Sequence, residues 1–269
     1  MKKAISYTLI FIGIQLLASV VMVAAMNLLK MDNKAYMQMG ASALSAIVTI
    51  IIFVKLKWAR PTMDFLATRP VIVMLWALLA ACGTIIPSIA FHEQLPELPN
   101  IVEEEMSAIM NARGGYFIIA ILVPFVEELV FRGAILRALL NRTGEKEGQE
   151  IQETVAKKDR HWLMITISAL FFALVHMNPA QMPHAFLIGL LLGWMYYRTG
   201  SIVPGVVFHC MNNTISYILF KLYPDSDTKL IDILGSQRNV AAAVMFSLFI
   251  LLPAIYQLHI WMKRPKTRV

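Results

Sequence analysis

Three ionisable residues, Glu127, Glu128 and Arg132, stand within six positions in an apolar part of the chain. The stretch 116–126 before them carries no charge, and the stretch 133–140 after them carries a single arginine. An ionised side chain at the centre of a bilayer costs at least about 2.5 kcal/mol, so three of them need a local reason. The cluster therefore predicts a functional site in this segment.

The spacing separates the two glutamates. Glu128 and Arg132 are four residues apart with the glutamate first, which favours an ion pair on one helix face. Glu127 points about 100° away from Glu128 and is left free of that pair. The alternative to a chemical role is a buried salt bridge with a spare, protonated carboxylate. An unpaired acid inside a membrane is by default a functional candidate.

Polar residues also interrupt two later apolar segments. His176 ends one of them, and His209 and Asn213, four apart, share a helix face in the other. Taken singly, His176 is also explained as a cation at a helix C-terminus. His209 and Asn213 are equally explained by hydrogen bonds between helices. Counting about 1.5 Å per residue from the cytoplasmic ends places Glu127 and His176 about 20 Å deep, His209 about 12 Å and Asn213 about 18 Å. The depths predict that these groups meet in one layer.

A carboxylate with two imidazoles and an amide suits the activation of water. A glutamate shielded from solvent can act as the general base, and His176 can orient the same water. Imidazole is also a common zinc ligand, so Glu127, His176 and His209 are candidate zinc ligands, and a metal-free reaction remains open as well. His209 and Asn213 can donate hydrogen bonds to an oxyanion. An HExxH motif is absent from the sequence.

The composition indicates that lipid is the main solvent of this chain. Of its 269 residues 58% are hydrophobic and 15% are charged, whereas soluble domains carry roughly 25% charged residues. We expect an all-α polytopic membrane protein with about eight transmembrane helices and a polar intramembrane site. The apolar runs lie at 4–29, 36–56, 70–91, 115–140, 162–177, 184–199, 201–222 and 239–262.

Lysine and arginine predict the orientation. With the N-terminus inside, 17 of them fall on the cytoplasmic side and 6 outside, while Arg132 lies in the membrane. Both termini are then cytoplasmic, and the net charge of +7 reflects topology, so no nucleic-acid partner is implied. The acidic stretch 92–114 is interpreted as a solvated outer turn, and the charged stretch 141–160 as a cytoplasmic loop.

The chain divides into three parts by composition. Residues 1–114 are predicted to form scaffold helices, 115–222 the polar core, and 223–269 a loop and the last transmembrane helix. The segment before 176–179 is too short to cross the hydrocarbon comfortably, and its irregular end predicts a water-accessible recess. His184, just after Pro183, is interpreted as interfacial or as reaching that recess. Cys82 and Cys210 have no CxxC partner, so no disulfide is expected.

Three motifs in order resemble a known family. Residues 127–132 form EExxxR, 172–176 form FxxxH and 209–213 form HxxxN, each in a separate helix. They resemble the CPBP intramembrane proteases, which include type II CAAX prenyl endopeptidases and bacterial bacteriocin-processing or self-immunity proteins. The residues between the last two motifs that add to the resemblance are Gly189, Gly193, Tyr197, Thr199, Gly200 and Ser201.

The resemblance implies an all-helical core with a site open to the cytoplasm. It implies Glu127 as the water-activating base, supported by Glu128, Arg132 and His176, with His209 and Asn213 at the oxyanion. It leaves zinc and metal-free chemistry both open. The expected partners are the lipid bilayer and a protein or peptide substrate at the membrane, and the expected location is a bacterial inner membrane.

Two other functions fit the same residues. A non-proteolytic scaffold or self-immunity factor would keep the polar cluster for packing. A proton-coupled transporter would use Glu127, His176 and His209 as a relay. Transporter folds often show paired repeats, and none is evident in this sequence.

Overall fold

The computed structural model describes residues 1–59, 65, 70–140, 160–225 and 228–262. These residues contain helices and no strand, which confirms the all-α prediction. Most of the predicted cytoplasmic loop, 141–159, lies outside the described residues. The helices, numbered along the chain, are α1 Lys2–Leu28, α2 Lys34–Lys55, α3 Val71–His92, α4 Glu103–Asn111, α5 117–140, α6 Arg160–Val175, α7 Met182–Thr199, α8 Val203–Leu222, α9 Leu230–Leu234 and α10 Gln237–Trp261.

Four helices, α1, α2, α3 and α10, are long and apolar enough to cross a membrane. Only 17 to 33% of the most apolar window in each is buried inside the protein, as expected for surfaces that face lipid. The other predicted spans are helical, but they do not meet the same standard of length and apolarity. The structure therefore supports a membrane protein with four clear spans, and the full set of eight stays a prediction.

Helix α5 carries the glutamates and changes its winding around them. The middle segment Val123–Val130 is α-helical, and the segments Phe117–Leu122 and Phe131–Leu136 on either side are π-helical. A last turn, Arg137–Leu140, is again α-helical. π-Helical turns are rare in proteins overall, and those that occur are often found at functional sites. They alter the direction in which neighbouring side chains point.

The helices pack around two apolar cores. The first core joins α1, α2, α5 and α6 through buried residues such as Phe11, Phe53 and Phe131. The second core joins α3, α7, α8 and α10 through residues such as Leu192 and Phe208. Helix α7 also places Ala185 in the first core, so it lies between the two.

Glycines bring α6 and α7 into close contact. A Cβ atom added to Gly189 would lie 3.0 Å from Ala169 Cβ, and one added to Gly193 would lie 2.9 Å from Ile165 Cγ2. Small residues at such crossings let two backbones approach inside a membrane, where association depends on packing. This approach places the middle of α6, from Ile165 to Phe172, against the backbone of α7.

The turn after α6 is enclosed by the loop that follows α3. Asn178 is fully buried, with Oδ1 accepting from Ile101 N–H at 3.1 Å and Nδ2 donating to Asn100 Oδ1 at 2.8 Å. Asn178 is therefore covered by protein, whereas Met177 beside it is exposed, and the water-accessible recess stays a prediction. The acidic stretch 92–114, which the sequence interpretation described as a solvated outer turn, contains helix α4, which that interpretation missed. Cys82 and Cys210 are free, as predicted.

Candidate active site

The ion pair predicted within α5 is present and fully buried. Arg132 Nη1 donates to Glu128 Oε1 at 2.7 Å, and the two side chains are 1% and 0% exposed. Arg132 Nη2 donates to the carbonyl oxygen of Gly189 at 3.1 Å, which ties the pair to α7. A buried pair persists only with such additional hydrogen bonds, because both charges have lost their water.

His209 of α8 connects the two glutamates. Its Nδ1 lies 3.2 Å from Glu128 Oε1, and its Nε2 lies 3.7 Å from Glu127 Oε2. Since an ionised carboxylate only accepts, Nδ1 is the nitrogen that donates to Glu128. The side chain of Glu127 is 14% exposed and faces no arginine or lysine among the ion pairs of the described residues. Glu127 is therefore the more accessible of the two acids.

His176 is held by the residue one turn before it. Its Nδ1 lies 2.8 Å from the carbonyl oxygen of Phe172. Because a carbonyl only accepts, the proton is assigned to Nδ1, and Nε2 keeps its lone pair in the neutral ring. The Phe172 ring contacts both imidazoles, with centroids 5.0 Å from His176 and 5.8 Å from His209. The two histidines thus flank one aromatic ring.

Asn213 lies beside the first π-helical segment of α5. Its Nδ2 donates to the carbonyl oxygen of Ile119 at 3.0 Å, so one of its two amide hydrogens is already engaged. The second hydrogen remains for another acceptor. The contact anchors α8 to α5 one turn beyond the contact of His209 with Glu128.

The candidate zinc ligands are not gathered into a metal site. Across the described ranges, no three His, Cys, Asp or Glu side chains are grouped closely enough to hold a metal ion. Glu127 and His209 approach each other, whereas His176 is directed by its bond to the Phe172 carbonyl. The donor set as it stands does not fit zinc, and we derive no step through a metal.

Several residues that shape the site have no chemical signal in the sequence. A Cβ atom on Gly205 would lie 2.8 Å from Glu128 Oε2, so this carboxylate occupies space that only glycine leaves open. His184 lies near Asn212 and within electrostatic range of His176 and His209. The structure therefore places His184 at the recess, the second of its two sequence interpretations.

Together these contacts give an asymmetric polar centre. One carboxylate, Glu128, is neutralised by Arg132 and holds His209, while the other, Glu127, remains accessible beside the same imidazole. Such an arrangement places an accessible carboxylate beside an imidazole, two groups that can take part in general acid–base chemistry.

The fold and the site define an all-helical membrane protein with a buried polar centre. Residues 111–215 match the model of the family described as type II CAAX prenyl endopeptidase Rce1-like. This match confirms the resemblance that the three motifs predicted. It supports a CAAX-type intramembrane protease activity in general terms. No curated protein and no solved structure matches the chain.

Proposed function

We propose that this chain is an intramembrane endopeptidase that hydrolyses a peptide bond of a membrane-associated or lipidated protein or peptide by glutamate-activated water. The observation that carries the proposal is the asymmetry of the two acids. Glu128 is closed off by Arg132, whereas Glu127 is partly exposed and faces His209 Nε2 at 3.7 Å. The family match at 111–215 supports the same class of reaction.

Glu127 takes the part of the general base. Its carboxylate removes a proton from a water molecule, and the resulting hydroxide attacks the carbonyl carbon of the scissile peptide bond. The proton then passes from Glu127 to the amide nitrogen, the C–N bond breaks, and an acid and an amine leave. His176 Nε2, with its free lone pair, accepts a hydrogen bond from the same water and orients it.

His209 and Asn213 stabilise the oxyanion of the tetrahedral intermediate. Asn213 uses the amide hydrogen that Ile119 leaves free. Donation from His209 Nε2 requires the imidazolium form, in which Nδ1 donates to Glu128 at the same time. Removing one oxyanion donor typically lowers the rate by about 10²- to 10³-fold.

The setting of the enzyme is part of the proposal. Eight spans with both termini in the cytoplasm of a bacterial inner membrane follow from the apolar runs and the 17 to 6 distribution of Lys and Arg. The site then opens to the cytoplasmic side, as in the family that the motifs resemble. Glu127, His176 and His209 would hold a zinc ion only after rearrangement, because no three such side chains of the described residues are grouped closely enough to bind a metal.

The test compares Glu127→Gln with the parent chain in its own membrane. Glutamine keeps the shape of the side chain but removes the base. The measurement is the abundance of new N-termini in the membrane proteome, and we expect the termini that depend on Glu127 to fall by about 10²- to 10⁴-fold. Glu104→Gln, an exposed glutamate of α4, is the matched control and keeps parent levels. Thermal unfolding of both variants checks that the fold survives.

Two outcomes would count against this reaction. Identical sets of termini with and without Glu127 would overturn it, and a phenotype that survives Glu127→Gln would favour the scaffold or immunity alternative. Metal analysis of the purified parent and the Glu127→Gln variant separates the metal-free reaction from a zinc-dependent one. A stoichiometric zinc that is lost with Glu127 would support the metal-dependent form.

A further inference from the structure

Phe172 lies where the side chains of the candidate site meet, although its ring has no acid or base. The residue is 1% exposed. Arg132 Cζ lies 4.5 Å from its ring centroid. The imidazoles of His176 and His209 stand nearly perpendicular to it, at 87° and 84°. A single ring therefore contacts three ionisable groups from different parts of the chain.

The face of the Phe172 ring compensates for the water that the buried Arg132 guanidinium has lost. Glu128 and Gly189 take up Nη1 and Nη2 of Arg132, while its buried Nε has no hydrogen-bond partner among the described residues. The π face of an aromatic ring attracts a cation, and the attraction is stronger where water is excluded. An aliphatic side chain of the same size would leave this part of the guanidinium desolvated without compensation.

The same residue also orients the imidazoles. The backbone carbonyl of Phe172 accepts from His176 Nδ1, and its ring meets the imidazole edge to face, a favoured arrangement of aromatic pairs. The carbonyl selects the tautomer, and the ring limits rotation of the imidazole. The perpendicular contact with His209 restrains that ring as well.

Packing on two sides keeps the ring in place. The ring of Phe131 lies 5.1 Å away, centroid to centroid. On the α7 side, a Cβ atom on Gly189 would already be 3.3 Å from Phe172 Cδ1. The ring therefore has little freedom to swing away from Arg132.

We propose that Phe172 is a positioning residue: its π face holds the guanidinium that neutralises Glu128, and its edge contacts hold His176 and His209 in single orientations. The proposal rests on the proposed function, because that function gives the held groups their roles in water activation. Its physical content, a cation on a ring and a fixed histidine orientation, is measurable without any substrate.

The first experiment weakens the π face without changing the packing much. Phenylalanine with one, three and five fluorines replaces Phe172 in the full chain in detergent. We expect Tm to fall stepwise, by about 2–4 °C in total. The same series at Phe208, fully buried in the second core, is the matched control and should stay flat. Equal shifts at both positions would overturn the role of the π face.

The second experiment reads the histidines directly. In ¹⁵N spectra recorded where the His176 ring is uncharged, we expect this ring as a single tautomer with its proton on Nδ1. Phe172→Leu keeps the backbone carbonyl and with it the tautomer, but the His176 ring should gain rotational freedom and show faster side-chain relaxation. Phe208→Leu should leave the His176 ring as rigid as in the parent. A His176 ring that stays equally rigid in Phe172→Leu would overturn the positioning role. If no Glu127-dependent cleavage is found, the proposed function falls while both of these measurements keep their meaning.

Discussion

The helices that look most like membrane spans and the helices that carry the candidate site are different sets. α1, α2, α3 and α10 are the clear spans, and at most a third of their most apolar windows is buried. In contrast, residues 128–136 of α5 are all buried, including Glu128 and Arg132. The outer set leaves most of its apolar windows exposed, whereas the polar centre of α5 is surrounded by protein.

The difference teaches how polar groups are accommodated in such a protein. A charge costs least where lipid is excluded and partners are fixed, so the site helices need a surrounding shell of plain helices. They also give up apolar character, helical regularity and length, as the π-helical segments of α5 and the short α6 show. The site region should therefore be sensitive to single changes that the outer helices tolerate.

The largest effect is expected from Arg132→Met. This change leaves the carboxylate of Glu128 buried without its cation, which costs about 3–5 kcal/mol. The free energy of unfolding in mixed micelles should fall by that amount. Lys55→Met, at the exposed end of α2, is the matched control and should change it by less than about 0.5 kcal/mol.

The double change Glu128→Leu with Arg132→Met tests whether α5 stays stable as a helix without these two buried charges. Without either charge no unpaired ion remains, and we expect most of the lost stability to return, less the hydrogen bond that His209 loses. Activity should not return, because His209 has lost its acceptor. Recovery of activity in the double variant would contradict the role given to the pair.

The next largest effect is expected at the glycines. In Gly205→Ala the new Cβ would be 2.8 Å from Glu128 Oε2, so α8 or the carboxylate must shift, at a cost of about 1–3 kcal/mol. Gly13→Ala in α1 is the matched control, because nothing lies within 4 Å of its Cβ position. Unfolding of the two variants should differ accordingly, and equal stability would mean that the site is not the more tightly packed region.

The sequence predicted what depends on local spacing. The pair Glu128 and Arg132 is four residues apart on one helix, so helical geometry alone brings them together. The position of His209 between both glutamates depends on how α8 packs against α5, and its predicted role rested on its depth, the chemistry of imidazole and the resemblance. The π-helical segments and the space beside Gly205 leave no signal that residue types alone reveal, because they arise from backbone packing.

A moderate effect is expected for Asn178→Ala. This change removes both hydrogen bonds that tie the turn after α6 to Asn100 and Ile101, at about 1–2 kcal/mol, since the freed Ile101 amide can reach water. Hydrogen exchange in 95–102 should increase. The matched control is Asn33→Ala, which removes the N-cap bond to Tyr36 N–H in the outer set and costs about 1 kcal/mol. Faster exchange in 95–102 in the control would show that the coupling is not specific to Asn178.

The smallest effect is expected from glycine substitutions at two residues that follow helices and have left-handed backbones. Met177 at the end of α6 and Lys57 at the end of α2 both have left-handed backbones, with φ of 49° and 57°. Glycine adopts this region without the cost that a side chain brings, so Met177→Gly and Lys57→Gly should each alter stability by no more than about 1 kcal/mol. Only Met177 adjoins a site residue, and the added freedom should loosen His176 and lower the rate of Glu127-dependent cleavage. An equal loss of activity in Lys57→Gly would mean that the outer and site regions are coupled more closely than their packing indicates.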